Sequence, residues 1–411
     1  MLPRGRDEAR FALALSILVC QLGYSGQALA AAPTAGPAFI DAGPFAITPT
    51  LGLETKYSDN IYLQEEDTTE SWIYIARPAV NAMLQDRSNI YQFDYVGEAG
   101  WYNEDSQNDR NDYFDNTFSA DAYILPTERW IATAYISWAM LHEDRGTGLT
   151  EGEIGNFISE PVRYDQTDVG GSVEYGSGIG RLELRTAYMS RDYQNFRQFT
   201  RSRDLEETSV GSTFFYPIAP KTDLLLDYNY SDFHYPNTIE ELPPLDSKEN
   251  TLQGGLQWEI TPNLISTAQA GYTDKSFEDP ARRDWDGFTW MLELWMQPRP
   301  QDTIVINGTR APEETSLQGD FILRETLTTT WTHSWSDRVS TSLAGTISRE
   351  SYEQSVNDRK DWVYNTTVRA DYEFRRWCNT YFSYAYDDKD SNADNLSYTA
   401  NTFMIGVDLS L

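Results

Sequence analysis

Residues 398–411, YTANTFMIGVDLSL, constrain the fold more than any other stretch. Phe403, Ile405, Val407, Leu409 and Leu411 are apolar on one parity, while Thr402, Gly406, Asp408 and Ser410 are small or polar on the other. Successive side chains of a strand point to opposite faces, so this segment has one greasy face and one wet face. Combined with a secretory leader, such a strand predicts a β-barrel that crosses a bacterial outer membrane.

The leader is written in the first thirty residues. Arg4, Arg6 and Arg10 precede an almost wholly apolar run over 11–19, and Ala28-Leu29-Ala30 fits an A-x-A cleavage site. That run is too short to span a bilayer as a helix. Cys20 follows Val19, which is too bulky for lipoprotein processing. The expected organisation is a secretory signal peptide over 1–30, a short Pro/Ala/Gly-rich flexible lead-in over 31–44, and a barrel over 45–411. Cleavage leaves Cys378 as the sole cysteine, so no intrachain disulfide can form.

No later segment offers the roughly 18 to 20 continuous apolar residues of a membrane helix. The chain nevertheless carries 12 Trp, 26 Tyr and 18 Phe beside 23% charged residues, with a mean hydropathy of −0.56. A transmembrane barrel reconciles these values, because only alternate residues touch lipid and long loops stand in water.

The connections alternate in length. Short breaks rich in turn-forming residues fall at 85–88, 126–128, 176–178, 217–221, 261–263, 298–301, 335–338 and 374–377. Longer, more acidic ones fall near 63–71, 103–112, 144–162, 197–204, 236–248, 278–286, 311–320, 353–361 and 387–397. Eight turns and nine loops join 18 strands, an even number that puts both ends on the short-turn side. The expected fold is an all-β, antiparallel up-and-down barrel with short periplasmic turns and long extracellular loops. A secreted β-helix or propeller, the competing reading, does not predict this alternation.

Parity assigns the faces. Trp362, Tyr364, Thr366, Val368, Ala370, Tyr372 and Phe374 alternate with Asn365, Thr367, Arg369, Asp371, Glu373 and Arg375. Arg or Lys facing lipid at the midplane costs roughly 2–4 kcal/mol, so the charged parity must line the lumen. Aromatics gather at strand ends: Tyr57, Tyr62, Trp101, Tyr102, Tyr113, Phe114, Tyr193, Phe196, Phe233 and Tyr235 by the long loops, and Trp130, Trp258, Trp335 and Trp377 by the short turns. Two belts of amphipathic rings suit two membrane interfaces.

With Gly52-Leu53-Glu54 and Tyr57-Ser58-Asp59-Asn60-Ile61-Tyr62, the aromatic strands and the terminal alternation, the mature chain resembles the putative outer-membrane β-barrel porin type 2 family. Members often accompany exopolysaccharide or capsule assembly systems. The resemblance therefore implies a channel that exports such a polymer, with polysaccharide and periplasmic export proteins as partners. Leu411 departs from the pattern, since outer-membrane strands usually end in Phe or Trp.

The net charge is −31, which repels nucleic-acid phosphates. Much of the acid lies in loops: Asp59, Glu65, Glu66, Asp67 and Glu70; Glu104, Asp105, Asp109 and Asp112; Asp387, Asp388, Asp390 and Asp394. A solvated surface explains it, and divalent bridging to lipopolysaccharide phosphates is the functional alternative; outer-membrane lipid and lipopolysaccharide are the expected surroundings. Asp388-x-Asp390-x-Asn392 lacks the Gly and Glu of a calcium loop, so neither a metal site nor a cofactor is expected.

Pore-lining candidates by parity are Asp94, Glu98, Tyr135, Glu183, Arg185, Arg191, Asp227, Glu293, Trp295, Arg369, Asp371, Glu373 and Arg375. Opposite charges there either pair with one another or set an ion preference. Tyr135 and Trp295 either pack or stack on sugar faces. The loop 144–162 carries Leu149, Ile154, Phe157 and Ile158, which gain nothing in water. It is expected to bend inward, with Glu151, Glu153, Phe157 and Glu160 near a constriction; packing on neighbouring loops is the plainer reading.

No distinctive spacing surrounds His142, His234 or His333, and no G-x-S-x-G or H-E-x-x-H occurs, so no enzyme is expected. Polymer export, general diffusion and a structural anchoring barrel remain as readings; the sequence leaves the oligomeric state open.

Overall fold

Where the sequence sustains an alternation of two, the chain is strand. The computed structural model describes residues 39–411 apart from 104–109, 153–154, 156–157, 239–242, 262, 316–317, 356 and 411. The expected leader, Glu104, Asp105, Asp109, Glu153, Ile154, Phe157 and Leu411 lie outside the described residues.

The strands are β1 (Ile40–Ala42), β2 (Phe45–Ser58), β3 (Ser71–Asp86), β4 (Asn89–Asn103), β5 (Tyr113–Thr127), β6 (Trp130–Glu143), β7 (Val162–Gly176), β8 (Arg181–Tyr193), β9 (Leu205–Ala219) and β10 (Thr222–His234). They continue as β11 (Ser247–Thr261), β12 (Leu264–Phe277), β13 (Trp285–Arg299), β14 (Asp302–Glu314), β15 (Phe321–Ser334), β16 (Val339–Glu353), β17 (Lys360–Arg375), β18 (Cys378–Ser391) and β19 (Tyr398–Ser410). From β2 to β19 each strand pairs antiparallel with the next. β19 then returns to β2, from Thr402 opposite Ser58 to Ser410 opposite Thr50, and closes an 18-strand cylinder. Closure leaves no unpaired edge, the only way a sheet can satisfy its backbone in lipid.

The segment expected as a lead-in contributes β1, which pairs Ile40 with Ile47 and Ala42 with Phe45. It takes the stretch of β2 edge beyond the point where β19 ends.

Strands such as β3, with 16 residues, and β8, with 13, exceed the roughly 9–11 that a bilayer requires. The surplus carries the loop end of the barrel beyond the membrane, and this changes the role of several rings. Trp101, Phe114 and Trp362 do face outward, as do Trp130, Trp335 and Trp377 at the turn end. Tyr193, Phe233 and Tyr235, expected in the outer belt, are instead buried within the mouth. Tyr193 joins Leu149, Ile158 and Val162, with Tyr164 and Phe196 against them. Phe233 and Tyr235 pack with Leu205, and Tyr62 and Tyr102 lean on Ile61, Ile73 and Ile75. Parity decides the matter: a ring on the inward face of a protruding strand meets folded loops, not headgroups.

Candidate permeation path

The lumen wall divides into sectors of different chemistry. On β7–β11, Arg181 reaches Glu174 at 2.8 Å, Asp223 at 2.9 Å and Gln257 at 3.0 Å. Two inward positions further, Arg185 pairs with Asp227 at 2.7 Å, lies 3.9 Å from Glu183 and donates to Thr213. Around the closing seam, Arg77 bridges Glu54 and Glu98, and the Tyr113 hydroxyl donates to Glu98 at 2.6 Å. Arg369 pairs with Asp371 at 2.8 Å, approaches Asp408 at 4.0 Å, and lies 3.6 Å above the Tyr381 ring. These charges satisfy one another.

A different sector lies between them on β4–β7. Asp94 accepts from Asn81 at 2.7 Å and from Gln92 at 2.8 Å, and Asp168 accepts from Gln166 at 3.0 Å. Ser119 and Ser137 lie between these two acids on one continuous rung. Among the described residues, no Lys, Arg or His lies within ion-pairing distance of Asp94, Asp121 or Asp168, nor of Glu293 or Glu373. Arg191, the remaining inward cation nearby, donates to the Gln166 amide oxygen at 2.9 and 3.0 Å. On β15 and β16, on the turn side of the Arg324–Glu350 pair at 3.1 Å, the wall is neutral and small: Thr326 bonds Ser348 at 2.8 Å and Thr328 bonds Thr346 at 3.0 Å.

Inward rings lie flat over glycines on the adjacent strand. Tyr135 covers Gly170, Tyr381 covers Gly406 and Tyr113 covers Gly100, each pair directly opposite across a rung. A Cβ at any of these glycines would collide with the ring, so the small residue and the large one are complementary. Tyr135 thus lies along the wall instead of projecting into the lumen. Trp295 sits opposite Ile265 and Val305, toward the short-turn end. Arg375 stands at the last turn, its guanidinium 5.7 Å from the centre of the Phe374 ring.

The mouth is governed by the β6–β7 loop. Its apolar residues Leu149 and Ile158 pack against Val162 and Tyr193. Glu143, where the loop begins, is held by Arg203 at 2.6 Å and by the Tyr193 hydroxyl at 2.7 Å. The chain then crosses toward the seam. Arg145 lies 5.1 Å from the centre of the Tyr62 ring. Gly146, at φ +79°, comes so close to the Tyr62 carbonyl that no side chain would fit; the left-handed backbone and the contact both require glycine. Glu151 reaches the far wall, where both carboxylate oxygens lie 2.8 Å from the Arg359 guanidinium and Lys389 forms a second ion pair. Asp361 completes the cluster, 2.5 Å from Arg359 and 3.3 Å from Lys389. Burial alone would push the Glu151 carboxyl up, but Arg359 and Lys389 outweigh it and hold it below the usual glutamate range. Glu160 stays at the near side, 3.3 Å from the Asn195 amide and 3.8 Å from Arg163.

Glu151 is legible in the sequence, but its partners are not. Arg77, Asp121 and Asp168 sit on the inward parity and were legible by the same rule as Asp94. Arg359 lies in a loop, where no periodicity points to it. The three histidines each face an aspartate: His142 Nδ1 lies 2.9 Å from Asp115, His234 Nδ1 2.5 Å from Asp246, and His333 Nδ1 2.7 Å from Asp302. His142 also stacks on Tyr113 at 3.9 Å.

A family model described as putative beta-barrel porin 2 matches residues 32–411. Similar solved structures include a BenF-like porin from Pseudomonas fluorescens Pf-5, 10% identical over 89% of this chain and 99% of that one, with a TM-score of 0.49. Pseudomonas aeruginosa OccK9 (OpdG) is 10% identical over 89% and 98%, with a TM-score of 0.49. Pseudomonas aeruginosa OpdL is 12% identical over 90% and 100%, with a TM-score of 0.45. No curated protein matches the sequence.

Proposed function

The chain belongs to the putative beta-barrel porin 2 family, porin-like barrels integral to the outer membrane, and from that premise we propose that it is a passive diffusion channel for small hydrophilic solutes, with a preference for cations. An 18-strand cylinder is wide enough for an aqueous lumen. The observation that carries the reading is the sector holding Asp94, Asp121 and Asp168, none of which forms an ion pair among the described residues. Carboxylates left uncompensated around water attract cations and repel anions. The paired charges elsewhere on the wall contribute shape and little field.

The crossing loop narrows the path, which suits small solutes better than a polymer in transit. Nothing in the comparisons supports export of an exopolysaccharide or capsule polymer. Liposome swelling with sugars of increasing size, together with reversal potentials in a salt gradient, tests the reading. A sharp size cut-off and a cation-selective potential are expected. A barrel that conducts no ions would favour a structural anchor, and block by an anionic polysaccharide at low concentration would return export to first place.

A further inference from the structure

One rung on the outer face of the barrel runs through five strands. Trp290 of β13 lies opposite Arg310 of β14, Arg310 opposite Glu325 of β15, Glu325 opposite Arg349 of β16, and Arg349 opposite Trp362 of β17. All five belong to the parity that faces away from the lumen. Toward the short turns the same parity continues as Leu327, Ile347 and Tyr364, each exposed on the barrel exterior. Toward the loops, β14 and β16 end at Glu314 and Glu353. The row therefore marks the edge of the apolar band on the extracellular side.

Two guanidinium groups in such a place need an explanation. A basic side chain facing hydrocarbon is penalised at the midplane and tolerated only near the interface, so the position is permitted, but permission is not a reason. Arg310 is only loosely engaged: one nitrogen lies 3.7 Å from Glu325, and its Nε donates to the Phe288 carbonyl at 3.1 Å. Arg349 is exposed, 5.8 Å from the centre of the Trp362 ring, and no carboxylate lies within ion-pairing distance of it among the described residues. The row is thus cationic on a chain whose net charge is −31. One strand, β15, separates the arginines, and two inter-strand spacings span about 10 Å. Each offers the planar fork that matches phosphate oxygens, and the two tryptophans suit the headgroup level on either side.

We infer that Arg310 and Arg349, bracketed by Trp290 and Trp362, form a docking site for the phosphorylated headgroup of an outer-leaflet glycolipid of the lipid A class, whose acyl chains lie on the apolar strip beneath. The site acts by direct ion pairing and needs no bridging divalent cation. It depends on the orientation of the barrel in the membrane and not on what passes through the lumen, so failure of the diffusion reading would leave it standing.

The test measures binding of labelled lipid A, dephosphorylated lipid A and phosphatidylglycerol to the full barrel in detergent. The proteins are wild type, R310Q, R349Q, the double variant, and R376Q at the opposite end as control. Wild type and R376Q should bind lipid A about tenfold more tightly than the double variant does. Dephosphorylated lipid should bind wild type as weakly as lipid A binds the double variant. Equal lipid A affinity for wild type and the double variant would overturn the assignment, as would phosphatidylglycerol binding as tightly as lipid A. Heat-modifiable gel migration reports whether each variant is folded. Should the double variant not fold, the comparison of phosphorylated with dephosphorylated lipid on wild type still decides.

Discussion

Glu151 and Arg359 form a bidentate pair across the mouth of the barrel, with both oxygen–nitrogen distances at 2.8 Å and a sequence separation of 208. Lys389 and Asp361 enclose the pair, and Arg359 and Asp361 are almost wholly removed from solvent. An ion pair of this kind fixes one arrangement more than it adds stability, because removing one member leaves a buried charge without a partner. Here the arrangement fixed is a loop drawn across a channel.

Replacing Glu151 with Ala should therefore release the loop while the cylinder stays closed, since no strand pairing depends on it. Single-channel recordings in a planar bilayer should show a larger and noisier conductance, and deletion of 149–158 should enlarge it further. Unchanged conductance in both variants would remove the loop from any part in permeation.

The same carboxyl sets a pH window. Its folded pKa is depressed, so its contribution to holding the loop is fully present above the unfolded value, about 4.3 for a glutamate, and is lost as pH falls through the lower folded value. Conductance should stay constant from neutral pH down to about 5 and rise only in stronger acid. A transition near pH 6 would assign gating to another group.

Selectivity should respond to the unpaired acids and not to the paired ones. Asp94→Asn and Asp168→Asn should each lower the cation-to-anion permeability ratio by about twofold, as expected for one charge acting through water over about 10 Å. Exchanging Arg185 and Asp227 for a neutral pair should move it much less. Reversal potentials in a tenfold salt gradient separate the two outcomes.

Stability should be sensitive at the seam. Arg77 neutralises both Glu54, which is almost inaccessible, and Glu98. Arg77→Met leaves those carboxylates facing each other and should cost about 2 kcal/mol, less than a fully buried pair because Arg77 is partly exposed. The midpoint of thermal unfolding, read by heat-modifiable migration, should fall accordingly. An unchanged midpoint would mean that water already screens the site.

Much of this was legible in one dimension. The alternation of Thr366 to Arg375 named the lipid face and the lumen face of β17 residue by residue, because a strand has only two sides. The alternation of turns with loops gave the strand count, because antiparallel neighbours need only a few residues to reverse. Parity alone assigns Asp94, Glu98, Arg185, Asp227, Arg369 and Asp371 to the charged face. The error at Tyr193, Phe233 and Tyr235 arose because proximity to a strand end says nothing about how far that end rises above the membrane.

What the sequence by itself determined is the barrel: a period of two, sustained and punctuated, admits one closed surface with oil outside and water within. What only the tertiary structure decided is who meets whom around that surface. Arg359 waits in one loop and Glu151 in another, and Arg310, Glu325 and Arg349 belong to three different strands. Periodicity fixes the face a side chain takes, whereas register and loop path fix its neighbour, and those depend on the closed cylinder as a whole.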